Sequence, residues 1–185
     1  NNKEGSFNLI EHKSVEFGYK ALKVDKIQLE GIDVKSESIR SLISEGLVEK
    51  ANRLLGRKFS FCGKVVHGRG IGKTIAFPTA NIKVDQKSQL LPGNGVYSTE
   101  IIIKKNKKSY NSVCNIGVRP TFKDASFKHK SIEVHILSDK DFNIYGYEIE
   151  LIFKSRVRDE IKFDNKEDLI NQINLDKEYC INNLK

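Results

Sequence analysis

The stretch that decides the fold is Val96-Tyr97-Ser98-Thr99-Glu100-Ile101-Ile102-Ile103, followed at Ser109–Ile116 by a second run of the same kind. Both are short and dense in β-branched and aromatic residues, as half-buried strands are. Between them Lys104, Lys105, Lys107 and Lys108 surround Asn106. A hairpin tip dressed with lysines explains that cluster as well as a phosphate-binding patch does. Phe59–Val66, Ser131–Leu137 and Tyr147–Phe153 repeat the pattern, punctuated by glycine, asparagine or aspartate. Five or six short strands with no helix between them predict an antiparallel barrel or sandwich, not a doubly wound sheet.

The flanks read differently. Ile39, Leu42, Ile43, Val48, Ala51, Leu54 and Leu55 recur at helical spacing; Gly46 is expected to split this segment and Gly56 to end it. Residues 1–35 alternate weakly and predict one or two strands, for example around Ala21–Leu29. At the other end Asp164 is the expected N-cap, with Glu167 at capping-box distance. Leu169, Ile170, Ile173 and Ile181 then supply an apolar face. The layout is a small barrel closed by a C-terminal helix.

Composition narrows the class. The 185 residues are 38% hydrophobic and 30% charged, a globular balance. No run approaches the roughly 18 apolar residues of a membrane span, and no secretory pattern opens the chain, so a cytoplasmic protein is expected. Three cysteines without a CxxC pair suit free thiols in a reducing compartment. Methionine is absent even at position 1, where Asn1 stands, so a fragment or processed form of a longer protein is expected. The net charge of +8 suits nucleic acid, an anionic membrane or an anionic small substrate.

Three stretches can carry chemistry. Gly68-Arg69-Gly70-Ile71-Gly72-Lys73-Thr74 resembles a P-loop but has three residues, not four, before its Gly-Lys pair, and runs into Phe77-Pro78 instead of a helix. What remains is a glycine-rich loop whose bare N–H groups can approach phosphate oxygens; a plain mobile loop reads equally well. Thr79 and Asn81, two apart on an extended segment, point the same way and offer hard oxygen ligands suited to Mg²⁺. The competing reading is a Thr/Asn turn bonded to its own backbone. In Ile132-Glu133-Val134-His135-Ile136 strict alternation puts Glu133 and His135 on one face. Glu133 is then a general base if that face lines a cleft, and a solvent-facing glutamate if it does not. His135 reads as a packed or surface residue, with no second histidine at metal-ligand spacing.

Taken in order, these pieces resemble one family. The glycine loop, Phe77-Pro78-Thr79-Ala80-Asn81, Leu90-Leu91-Pro92, Gly95-Val96-Tyr97, Asn115-Ile116-Gly117-Val118-Arg119-Pro120-Thr121-Phe122, Ile132-Glu133-Val134-His135, Tyr145-Gly146 and Arg158-Asp159-Glu160-Ile161-Lys162-Phe163-Asp164 are similar to the riboflavin kinase module. That module stands at the C-terminus of bacterial bifunctional riboflavin kinase/FAD synthetases, and the resemblance covers residues 57–185. It implies a six-stranded antiparallel Greek-key barrel with a C-terminal helix. It also implies transfer of the ATP γ-phosphate to the ribityl 5′-hydroxyl of riboflavin, giving FMN and ADP. Thr79 and Asn81 would then bind Mg²⁺ and nucleotide phosphates, Glu133 would be the base, and Gly68, Arg69, Gly70, Gly72 and Lys73 would cover the phosphates. Arg158 would lie in a flap near the flavin.

Residues 34–56 are similar to the tail of the adjoining FMN adenylyltransferase module, so residues 1–56 are expected to be its remnant. Lys35 and Glu37 stand where that family has hydroxyl residues. A carboxylate there repels phosphate, and the module's His-containing signature is not in the chain, which is expected to make FMN and not FAD. A bifunctional parent is the alternative. A nucleic-acid-binding barrel and a non-catalytic flavin or nucleotide sensor are the other competitors. Against the first, the aromatics form no exposed stacking series; against the second, a sensor has no need of a base. The kinase reading carries flavin and ATP as partners, with no nucleic acid, no membrane and a monomeric state.

Overall fold

The computed structural model describes residues 7–68, 77–84, 89–118, 130–138 and 142–183. It divides into two compact units, Asn1–Val34 and Lys35–Lys185.

In the first unit, helix α1 (Phe7–Phe17) precedes a two-stranded hairpin of β1 (Gln28–Leu29) and β2 (Ile32–Asp33). Glu30 and Gly31 turn it with φ of 53° and 74°, the left-handed pair that a two-residue hairpin needs to match strand twist. A helix thus stands where the sequence predicted only weak alternation. No residue of α1 is buried, so no apolar stripe was there to be read. Of the strand expected around Ala21–Leu29, only its last two residues pair.

In the second unit, α2 (Ser36–Ser44) and α3 (Val48–Leu55) form a short helical pair that breaks at Gly46 and ends at Gly56 in a left-handed C-cap, φ 65°. At Gly46 a Cβ would stand 2.5 Å from Arg156 Nη1 and 2.6 Å from the Tyr97 hydroxyl. Asn52 stitches α3 to the barrel: its amide donates to Phe153 O at 2.9 Å and accepts from Phe59 N at 2.6 Å. Val48, Ala51 and Leu54 are buried beside it. A fully buried side chain of this kind contributes about 1.5–3 kcal/mol.

Strands β3 (Ser60–Val66), β4 (Ala80–Lys83), β5 (Gly95–Ile103), β6 (Lys108–Val118), β7 (Lys130–Ile136) and β8 (Glu148–Arg158) close a barrel in the order β3-β4-β7-β6-β5-β8, every neighbouring pair antiparallel. This is the six-stranded Greek-key barrel that the resemblance implied. Its four-residue β4 is too short for alternation to announce. Inside, Tyr97, Ile101, Cys114, Ile116, Val134, Ile149, Leu151 and Phe153 are fully buried, every second residue along their strands as the pleat requires. The lysines at the β5–β6 turn are exposed.

Helix α4 (Lys166–Asn182) follows the barrel. Its N-cap is Asn165, whose side chain accepts from Asp168 N at 2.8 Å, one residue beyond the expected Asp164. It docks through Asp176 and Cys180, with Cys180 packed among Val96 and Val113. Ile181, expected on the apolar face, is 51% exposed.

Candidate active site

On β7, Ile132, Val134 and Ile136 are buried in the barrel, so the alternation turns Glu133 and His135 outward. Directly opposed residues of an antiparallel ladder share a face. Glu133 is opposite Asn81 on β4 and Asn115 on β6, and His135 is opposite Val113. Ladder pairing therefore sets Asn81, Glu133 and Asn115 in one row across three strands.

Over this face lies a cleft of about 290 Å³, walled on the far side by α4 and by the Arg158–Phe163 segment. Thr79, Asn115, Glu133 and His135 line the strand wall. Asn81, the ladder neighbour of Glu133, is buried at 9% exposure. Gly68 abuts its amide so closely that a Cβ there would stand 1.9 Å from Asn81 Nδ2. Gly68, Thr79, Asn81 and Glu133 are thus brought together from three segments. Arg69, Gly70, Gly72 and Lys73 lie outside the described residues.

The Pro78 carbonyl accepts from His135 Nδ1 at 2.9 Å, which requires the proton on Nδ1. Burial pulls the pKa of His135 down, the charge of Lys177 does the same, and the Pro78 bond opposes them. The ring meets Phe77 edge-on at 5.5 Å, and Lys177 Nζ stands 5.2 Å from the centre of the Phe77 ring. His135 is therefore a packed, neutral residue, tied to the backbone just before Thr79.

Arg158 lines the cleft, with its guanidinium committed to protein partners. Its Nε and Nη2 donate to the two oxygens of Asp176 at 2.8 and 2.7 Å, and its Nη1 to Asp159 O at 2.8 Å. Asp176 is itself only 4% exposed and accepts a further bond from Gln172. Sequence reasoning missed Asp176; its signal is a carboxylate in register with Leu169, Ile173 and Cys180 on the docked face of a helix. Glu160 was missed as well. It packs over Gly117, where a Cβ would come within 2.1 Å of its carboxylate.

The chemistry of the cleft follows from this lining. Val96, Val113, Ile161, Phe163, Leu169 and Ile173 give it an apolar floor and rim, suited to a planar ring. Its charged lining is Glu133, Glu160 and the Arg158–Asp176 pair. A polyphosphate approaching Glu133 is repelled unless a cation stands between them. A hydroxyl laid against Glu133 meets a carboxylate oxygen that can accept its hydrogen bond.

Residues 55–184 match the flavokinase family, described as riboflavin kinase. The chain belongs to the riboflavin kinase family. It is 34% identical over 177 residues to the bifunctional riboflavin kinase/FMN adenylyltransferase of Buchnera aphidicola from Schizaphis graminum, covering 95% of this chain and 55% of the relative. It is 39% identical over 160 residues to the protein of the same name from Bacillus subtilis, covering 85% of this chain and 49% of the relative. The chain spans about half the length of the curated relatives it matches. A crystal structure titled as a macrolide-efflux protein from Streptococcus pneumoniae shares the fold with a TM-score of 0.84 at 28% identity, over 98% of this chain and 57% of that one. Among the described residues no helix is long and apolar enough to cross a membrane.

Proposed function

We propose that this chain transfers the γ-phosphoryl group of ATP to the ribityl 5′-hydroxyl of riboflavin, giving FMN and ADP. The observation that carries the reading is the placement of Glu133 in one ladder row with Asn81, in a cleft that Thr79 also lines and to whose other wall Ile161, Phe163, Leu169 and Ile173 give apolar surface. The apolar wall takes the isoalloxazine ring and directs the ribityl chain toward Glu133. The Glu133 carboxylate accepts a hydrogen bond from the 5′-hydroxyl, orients it, and takes its proton as the oxygen bonds to the γ-phosphorus and the bond to ADP breaks. Most of the rate comes from holding donor and acceptor in line.

The oxygens of Thr79 and Asn81, with the carboxylate of Glu133 close by, suit Mg²⁺, which takes few protein ligands and keeps the rest for phosphates and water. When bound, Mg²⁺ would supply neutralisation between the triphosphate and the Glu133 carboxylate. Thr79 and Asn81 fix where the phosphates lie, and Gly68 leaves room for the Asn81 amide. The same reading assigns Arg69, Gly70, Gly72 and Lys73 to phosphate cover and Arg158 to the flavin side. It makes the protein a cytoplasmic monomer without a nucleic-acid partner. Residues 1–56 belong to it as the remnant of an adenylyltransferase-like module.

The test is chromatographic separation of FMN from FAD after incubation with riboflavin, ATP and Mg²⁺. FMN without FAD is the expected result. Neither product, from folded protein, overturns the reading.

A further inference from the structure

Beyond Arg158 the chain leaves the β8 ladder and does not re-enter regular structure until α4. Of the intervening residues Asp159–Asp164, only Phe163 is half-buried and the rest are exposed. Yet this segment makes one wall of the cleft, through Glu160, Ile161 and Phe163. Something other than backbone pairing must hold it. At its root Arg158 reaches across to α4 and forms the two-point ion pair with Asp176, 18 residues on. On the other side of the root, Arg156 Nη2 donates to Asp159 at 2.5 Å, anchored in turn on Asn94 O.

We infer that Asp176 is a positioning residue for the substrate whose ring fills the cleft. By gripping Arg158 at two points, it fixes the 158–163 segment against α4 at the spacing the ring requires. This rests on the riboflavin kinase reading above and adds a residue to it. A carboxylate on the docked face of a helix is a poor way to gain stability, because apolar side chains of similar volume do as well or better than a buried ion pair. What the pair supplies is direction: the planar fork of Arg158 has one favourable seat on a carboxylate. Removing the pair leaves the strand wall and its Glu133 untouched, so the loss falls on flavin binding, not on nucleotide binding.

Two variants separate positioning from folding. Asp176→Asn strips the charge and leaves Arg158 without its counter-ion; the double variant Arg158→Met/Asp176→Leu removes both charges and refills the volume. Steady-state FMN formation is measured for each, with riboflavin affinity followed independently by quenching of flavin fluorescence without ATP, and thermal unfolding recorded alongside. The expected result is a rise of about tenfold in the KM for riboflavin in both variants, with the KM for ATP within about twofold and the larger share of the loss in KM, not kcat. The double variant unfolds near the wild-type temperature. A double variant that is folded and retains wild-type KM and affinity for riboflavin overturns the inference while leaving the kinase reading in place. A wild-type protein that makes no FMN overturns that reading and takes the inference with it.

Discussion

On one side of the cleft, Glu133, His135 and Asn115 stand on strands paired along both edges; on the other, Glu160, Ile161 and Phe163 belong to a segment with no ladder at all. The strand wall inherits its geometry from the barrel. Displacing Glu133 relative to Asn81 means breaking backbone hydrogen bonds, each buried group of which is costly to leave unpaired. The flap-and-helix wall is set by side chains: one buried ion pair, one carboxylate over a glycine, and the docking of α4. In the kinase reading proposed above, the groups assigned to the reacting atoms stand on the stiff wall, and those assigned to the ring stand on the one that side chains adjust.

The largest effect expected from breaking the stiff wall is chemical. Glu133→Gln keeps the shape and the strand but removes the proton acceptor, so kcat falls by about 10²–10⁴-fold while ATP binding and the unfolding temperature stay close to wild type. Near wild-type turnover in this variant would remove Glu133 from the reaction. Next comes Gly68→Ala, whose added methyl would stand 1.9 Å from Asn81 Nδ2. Asn81 is 9% exposed and paired in the β4–β7 ladder, so its amide has little freedom to yield. The KM for ATP rises by about tenfold or more, with a matching shift in Mg²⁺ dependence and little change in the KM for riboflavin. An equal effect on both substrates would place the damage in the fold and not at the phosphates.

The same contrast explains what was legible beforehand. The alternation of Ile132–Ile136 assigns Glu133 and His135 to one face without any structure, because the side-chain period of a strand is two. The strands of the barrel, the break at Gly46 and the stop at Gly56 are local signals of the same kind. The flap-and-helix wall depends on partners distant in the chain. Asp176 is legible only as a polar residue on an otherwise apolar face, and nothing local names Arg158 as its partner. Asn165 caps α4 although Asp164 is as good a capping residue by composition, so backbone geometry decides between neighbours. Helix α1 escaped notice because it buries nothing, and β4 because four residues carry no period.

A milder change loosens the second wall alone. Asn165→Ala removes the bond to Asp168 N and costs about 1 kcal/mol, which lowers the unfolding temperature by about 2–4 °C in a chain of this size. The freed first turn of α4 includes no residue of the strand wall. The KM for riboflavin therefore rises slightly and that for ATP does not; the reverse order would mean that α4 supports the phosphate side.

The smallest effect expected concerns pH, and it arises where the two walls touch. His135, on the strand wall, faces Lys177 of α4 and the Phe77 ring, with Glu133 two residues away on its own strand. Burial, aided by Lys177, holds its pKa below the ordinary value of 6.5. The unfolded chain therefore takes up a proton there before the folded one does. Stability contributed by the neutral ring is complete above about pH 6.5 and is lost as the pH falls from there through the lowered folded-state value. Urea unfolding at pH 7.5 and pH 5.5 reads this directly, since the midpoint tracks stability when the slope is unchanged. His135→Gln retains a donor for the Pro78 carbonyl and does not titrate, so its midpoints at the two pH values lie closer together than those of the wild type. If the variant shows the same acid-side loss as the wild type, the titrating group lies elsewhere, and the contact between the walls at Lys177 has no part in it.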